Sequence, residues 1–249
     1  MERKQTQLEK YQLQLKDCEL IQKMDLKSLE SFLSLFHEER WPKSSCIINQ
    51  ENLSYHFYII LSGRIKMYKV DSNIGKELTL FLLTKNNIFD LNSLLDGSRH
   101  DVYYECIDNA KVLAAPMEDV KKWLKDNPEH YQNILPCAGK QLLQLENFIS
   151  NIIFNDVSTR LLQLILKNVN PKSQDLELIN DLPNKEIANL IGSTRAMVNR
   201  HLQKLKQLGT IKLSRKEMEI KNLKMLIRLL EEKKIINNNS FCATYDIVD

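Results

Sequence analysis

The chain has 249 residues, 43% of them apolar and 27% charged, the composition of a globular protein with room for one large core or two modest ones. No run of eighteen apolar residues occurs, so no membrane span is expected, and the five cysteines (18, 46, 106, 137 and 242) lack the short spacings of a zinc ribbon or iron–sulfur quartet. The small formal charge of +3 is unevenly placed: from Leu182 to Lys216 eight cations meet a single acid, a net of +7 that leaves about −4 for the remainder.

The first twenty residues, MERKQTQLEKYQLQLKDCEL, carry acids and no apolar segment, unlike a secretory signal or a transit peptide. The protein is therefore expected to act where it is made, and the scattered cysteines fit a reducing compartment. Residues 1–40 are polar with spaced leucines and predict amphipathic helices. Over 41–128 the texture changes. CIINQ, HFYIILSG, RIKMYKV, ELTLFLL and AKVLAAP are short apolar or β-branched runs separated by turn residues, Gly63 and Gly75 among them. They predict a compact antiparallel β-roll or barrel, closed by a short helix, MEDVKKWLKDN, that ends at Pro128.

Residues 129–155 predict one long helix. Leu142, Leu145, Ile149 and Ile152 recur at gaps of three, four and three, with Leu143, Phe148 and Ile153 beside them. Such a stripe can pack on the roll or on a second copy of the chain, and the spacing favours a dimer seam. A smaller domain follows over 156–230. It opens with Asp156 before VSTRLLQLILKNV, continues through a loop at Pro171, and ends in a hairpin within GTIKLSRKEMEIKN. The charged, Asn-rich segment 231–249 is expected to be a loosely held tail.

Between the loop and the hairpin lies EIANLIGSTRAMVNRHLQKLKQLG, from Glu186 to Gly209. Ile187, Ala188, Ile191, Val198, Leu202 and Leu205 have helical spacing toward one shared core, and Gly192 stands at the turn. That is the construction of a helix-turn-helix, whose second helix enters the DNA major groove. On that helix Arg195, Ala196, Asn199 and Arg200 fall away from the buried positions and are the candidate base readers; arginine suits bidentate bonding to guanine O6 and N7. Ser193 and Thr194 offer hydroxyls at the helix N-terminus for a phosphate, and Lys204, Lys212, Arg215 and Lys216 add attraction that is independent of base sequence.

These motifs resemble the Crp/Fnr transcription regulators over about residues 26–230. The resemblance is carried by WPKSSCIINQENLSYHFYIILSGRIKMYKV, GKELTLFLL, NPEHYQ, DVSTRLLQLIL and the helix-turn-helix. It implies an α+β fold: an N-terminal cyclic-nucleotide-binding-like β-roll, a long dimerisation helix and a C-terminal winged helix-turn-helix that reads a palindromic operator, with RNA polymerase as a further partner. IGSTRAMVNRHL is most similar to the NtcA-type branch, the nitrogen regulators of cyanobacteria and red-algal plastids. Cytoplasm, or a plastid stroma, is the compartment this implies. Many members place an acid after the first arginine; this chain has Ala196, which can meet a thymine methyl and cannot accept from cytosine.

The effector is less transferable. In NIFDLNSLLDGSRHDVYY, Asp90–Leu91 and Arg99–His100 replace the pairs that hold the ribose and phosphate in cyclic-nucleotide members, so cAMP is not expected. The cysteines do not supply an iron–sulfur cluster, and no axial pair for haem is evident. In the nitrogen-regulator branch 2-oxoglutarate lies between the roll and the long helix. The matching positions here are Phe89, Asp90 and Leu91, with Glu146 and a long-helix Gln141 beside Lys140; Arg99 or His100 would be a second cation. Asp90 would repel a dicarboxylate, so any such binding is expected to be weak or altered. An enzyme is not expected, since no nucleophile–base set, phosphate loop or metal cluster is present. The alternative to a DNA-binding regulator is a cyclic-nucleotide-fold regulatory or scaffold protein.

Overall fold

The computed structural model describes residues 10–45, 55–97, 101–214 and 217–242. It forms two compact units, Met1–Asn147 and Phe148–Asp249, and combines helices with antiparallel sheets in an α+β fold.

In the first unit residues 10–14 are helical, followed by α1 (Glu19–Gln22) and α2 (Leu26–Leu33), whose N-cap Asp25 accepts from the Ser28 amide at 3.0 Å. Strand β1 (His37–Trp41) begins inside the segment expected to be helical throughout. Its HEERW pattern is too polar to announce a strand, and pairing with β7 at the sheet edge supplies what local propensity does not. The CIINQ run, expected as a strand, lies outside the described residues. Strands β2 (His56–Ser62), β3 (Ile65–Val70), β4 (Glu77–Leu83), β5 (Ile88–Phe89), β6 (Tyr103–Cys106) and β7 (Ala110–Pro116) complete the roll. One sheet runs β1-β7-β2-β5 and the other β4-β3-β6, all pairs antiparallel.

The uninterrupted apolar run in β2 follows from burial of both its faces. Side chains alternate along a strand, so Phe57, Ile59 and Leu61 pack toward the helices while Tyr58 and Ile60 enter the roll interior. The same alternation in β7 sends Leu113 and Ala115 one way, Val112 and Ala114 the other. Inside the roll Tyr58 stacks on Phe89 at 4.8 Å and Phe89 lies 5.0 Å from Tyr104, while Trp41 meets Tyr58 edge-on. One cation is buried on the second sheet. Lys66 faces Glu105 across the β3–β6 pair at 3.0 Å, with Glu77 at 3.6 Å and the Tyr68 ring beneath it. Such a charge is tolerable only with its partners in place.

Helices α3 (Leu91–Leu95) and α4 (Met117–Asp126), a 3-10 turn at Pro128–His130 and α5 (Tyr131–Phe154) follow. The apolar stripe of α5 divides into two rows. Ile134, Ala138, Gln141 and Leu145 turn inward within the first unit, and Ile152 is also half-buried. Leu135, Gly139, Leu142, Glu146, Ile149 and Ile153 form a separate exposed row at alternating gaps of four and three, with Leu142 69%, Ile149 56% and Ile153 66% exposed. Of the residues expected in the seam, Leu142 and Ile149 lie in the exposed row, and Leu145 and Ile152 are half-buried.

In the second unit Asp156 caps α6 (Val157–Lys167) by accepting from the Thr159 amide at 2.6 Å. Helices α7 (Asn184–Leu190) and α8 (Arg195–Gln207) lead to the hairpin β8 (Ile211–Leu213)–β9 (Met218–Ile220) and to α9 (Leu223–Cys242). The segment expected as a tail from 231 is helical in backbone to Cys242, and residues 243–249 lie outside the described residues. Leu226 is fully buried, Arg228 pairs with Glu232 one turn on, and Lys233 reaches Asp156 at 2.9 Å.

The Asp156 carboxyl is pulled two ways. Burial would raise its pKa, but hydrogen bonds from Thr159 and Lys233 outweigh that and lower it from 3.8 to about 2. A carboxylate with a depressed folded pKa stabilises above its unfolded pKa and loses that contribution as pH falls through the folded value. The second unit is therefore expected to lose thermal stability between about pH 4 and about pH 2. Asp156→Asn, which keeps a capping oxygen, should flatten the decline; an equal decline in the variant would exclude Asp156 as its source.

Candidate functional site

Helix α7 ends in a geometry that only glycine enters freely. Gly192 takes φ 62°, and the Ser193 amide returns to the Ala188 carbonyl at 2.9 Å, the arrangement of a left-handed C-terminal cap. Thr194 then caps α8, its side chain accepting from the Met197 amide at 3.3 Å. The Thr194 oxygen expected to meet a phosphate thus also orders the helix start, and its hydroxyl proton stays available as a donor. Ile187, Ala188, Ile191, Val198, Leu202 and Leu205 are all buried between the two helices.

Burying that face leaves the opposite one exposed. At about 100° per residue, Arg195, Ala196, Asn199, Arg200, Gln203 and Lys204 share it, and all six are exposed. Helix α8 carries Arg195, Arg200, Lys204 and Lys206 and no acid. Two side chains have preset positions. The Arg200 guanidinium lies against the Met197 sulfur at 3.0 Å, and the Asn184 amide donates to Asn199 Oδ1 at 3.3 Å, which ties the start of α7 to the middle of α8. Asn184 and Gln203 were missed by the sequence reading; their helix positions, beside Asn199 across the turn and four residues after it, could have marked them. A groove of about 560 Å³ runs along this face, with Asn184, Lys185, Arg195, Asn199 and Gln203 among its walls.

In the hairpin, Lys212 is exposed but not solitary. It faces Glu219 across the strand pair, Nζ to Oε1 at 3.4 Å, and Lys221 approaches the same carboxylate at 2.7 Å. Hydrogen bonds from Lys221 and Lys212 hold the Glu219 pKa below its ordinary value. Glu219 thus competes for the Lys212 ammonium that the sequence assigns to a phosphate. Arg215 and Lys216 lie outside the described residues. The exposed face of α8 combines hydrogen-bond donors with cations: it can hydrogen-bond acceptors in a groove and neutralise flanking phosphates.

The first unit contains a cavity of about 130 Å³ between the roll and α5. Of the candidate effector residues it brings together Phe89, Asp90, Leu91 and Gln141. It does not include Lys140, which pairs with Glu19, or Glu146, which is exposed. Gln141 donates to the Ile88 carbonyl at 3.2 Å. Arg99 and His100 lie outside the described residues. Among the described lining residues there is no cation, while the Asp90 carboxylate is 5% exposed. A dicarboxylate or a cyclic phosphate would place negative charge against a buried carboxylate, so neither fits this lining. Cys18 and Cys106, buried thiols whose pKa burial pushes up to about 11, offer no reactive centre, and among the described residues no cluster of His, Cys, Asp and Glu could hold a metal.

Comparison with known proteins matches both units. Residues 38–127 match the cyclic nucleotide-binding domain model and residues 157–229 the Crp-like helix-turn-helix domain model. The global nitrogen regulator of Nostoc sp. is 31% identical over 169 residues, covering 66% of this chain and 75% of that protein. The global nitrogen regulator of Synechocystis sp. is 28% identical over 190 residues, covering 74% and 84%. Among solved structures, a Crp/Fnr-family transcriptional regulator from Eubacterium rectale superposes with a TM-score of 0.69 at 20% identity, covering 85% of this chain and 97% of that one. Regulators of this type bind DNA, act as dimers and are not enzymes. The chain belongs to the Crp/Fnr family of helix-turn-helix transcription regulators and is a homologue of the cyanobacterial global nitrogen regulators.

Proposed function

We propose that this regulator binds a palindromic operator as a homodimer, in the compartment where it is made, a prokaryotic cytoplasm or a plastid stroma. Arg195, Ala196, Asn199 and Arg200 read bases; Ser193, Thr194, Lys204 and, more weakly, Lys212 meet phosphates, and the sequence adds Arg215 and Lys216 to that set. The observation that carries this reading is the exposed face of α8, which joins base-reaching donors to cations without an acid. RNA polymerase is the further partner, as expected of a regulator that acts at promoters. Similarity to nitrogen regulators supports a role in nitrogen control. The described cavity lining argues against 2-oxoglutarate as its signal.

The test is selection of bound sequences from random duplexes, followed by affinity measurements over a salt series. A palindromic consensus with affinity falling steeply with salt is expected. Recovery of no common sequence, or a flat salt response, would instead favour the scaffold alternative.

The dimer reading rests on the exposed row of α5. Placing arginine at both Ile149 and Ile153 puts charge into that seam without touching Gln141, Leu142 or Leu145, which line the cavity. Sedimentation is expected to show a monomer, and affinity for the full palindrome should fall toward that for a single half-site. A double variant that sediments as a dimer would move the interface elsewhere.

A further inference from the structure

We propose that the cavity in the β-roll accepts a small, mainly apolar molecule bearing a hydrogen-bond donor and no negative charge, bound between Asp90 and Tyr104. The proposal rests on reading the roll as the sensing half of the regulator and is independent of how α8 meets DNA.

The first observation is an unsatisfied group. Tyr104 lines the cavity, is 1% exposed, and among the described residues its hydroxyl has no hydrogen-bond partner. Buried polar groups are nearly always bonded, so an unpaired hydroxyl lining a cavity is a donor suited to a ligand's acceptor or hydroxyl. Burial, and then the nearby Asp90 carboxylate, push the Tyr104 pKa well above the ordinary phenol value, so the hydroxyl keeps its proton and can donate. The register explains its position: Tyr104 lies directly opposite Met67 in the β3–β6 pair, and both line the same space.

The second observation is the charge. Asp90 precedes α3 in a left-handed conformation, φ 68° and ψ 33°, which turns its carboxylate into the fold; Ser93 donates to it at 2.7 Å. A buried carboxylate favours a hydroxyl or ammonium beside it and repels an anion. The third is size and character. Met67, Phe81, Leu83, Phe89, Leu91 and Leu145 form apolar walls around about 130 Å³. A dry apolar cavity of roughly 150 Å³ holds one benzene, whereas drug-sized ligands occupy about 300–1,000 Å³. The space therefore suits one ring or a short aliphatic body, too small for a nucleotide and wrongly charged for a dicarboxylate.

Three near-isosteric probes separate these terms: benzyl alcohol, benzylammonium and benzoate, titrated into the full chain without DNA and followed by calorimetry and ligand-observed NMR. At least one of the first two is expected to bind, with benzoate weaker by about tenfold or more. Tyr104→Phe, which keeps the ring and removes the donor, should weaken the bound probe about fivefold. Asp90→Asn, which tolerates the same backbone conformation, should bring benzoate to within about threefold of benzyl alcohol. Equal binding of benzoate to the unmodified protein would overturn the proposal. So would no binding of any probe at about 10 mM, or indifference to both substitutions. Because DNA is absent, failure of the operator reading would appear only in the duplex selection and would leave these titrations unchanged.

Discussion

Arg195→Ala is expected to abolish most of the preference for operator over random DNA while leaving the fold intact. The residue is the first of α8 and fully outside the core, so its truncation removes no packing. A bidentate arginine–base contact contributes roughly 1–3 kcal/mol of discrimination. A dimer presents the residue twice, so operator affinity should fall by roughly 30-fold to about 10⁴-fold. Non-specific binding should change far less, because that term comes from phosphate neutralisation. Lys204→Ala is the matched contrast: it should weaken all duplexes alike and reduce the salt slope by about one unit per half-site. Gel-shift or anisotropy titrations at two or more salt concentrations separate the two behaviours. If the ratio of operator to random binding survives Arg195→Ala, that residue does not read bases.

Gly63→Ala is expected to be the most damaging single-methyl change in the first unit. Gly63 links β2 to β3 at φ +89°, and a Cβ there would lie 2.8 Å from both Ala110 Cα and Asn109 O, and 2.9 Å from Ala110 Cβ. Two of those obstacles are backbone, at the start of β7, and neither can rotate away. Positive φ alone costs a non-glycine residue about 1–2 kcal/mol, and forcing atoms into a packed site adds about 1–3 kcal/mol. A loss of about 3 kcal/mol or more is a large share of a typical domain's 5–15 kcal/mol. Gly75→Ala is the control: its φ is +63° and among the described residues nothing lies within 4 Å of the added atom, so only the conformational cost applies. Chemical denaturation of the two variants should differ by about 2 kcal/mol, and equal losses would show that the clash with Ala110 is relieved by movement of β7.

The parts of this molecule that could be read without a structure are those whose signal is local. The helix-turn-helix announces itself through Ala188, Gly192 and Val198, because close crossing, a left-handed turn and one apolar face are demanded within about a dozen residues. The β-runs are legible for the same reason. Strand β1 is not, since HEERW has no strand propensity of its own and is recruited by β7. Neither is the continuation of α9 past residue 231, which is anchored by Leu226 and by Lys233 reaching back to Asp156, 77 positions earlier.

The candidate sites divide along the same line. The sequence by itself determined the family, the basic and exposed face of α8, and the two glycines that the turns at Gly63 and Gly192 require, because each follows from residue type and short spacing. Only the tertiary structure decided which leucines of α5 face outward, since a period near 3.5 places Leu142 and Leu145 in one stripe and cannot say which of them has a neighbour. It also decided that Lys140 is spent on Glu19 and Lys212 shares Glu219, and that Tyr104 and Asp90 close on one cavity. In these pairings Lys140 and Glu19 lie far apart in the chain, Tyr104 and Asp90 sit on separate elements, and Lys212 meets Glu219 only through the pairing of β8 with β9. Local periodicity contains no term for them; they exist only once the sheets and helices have been packed together.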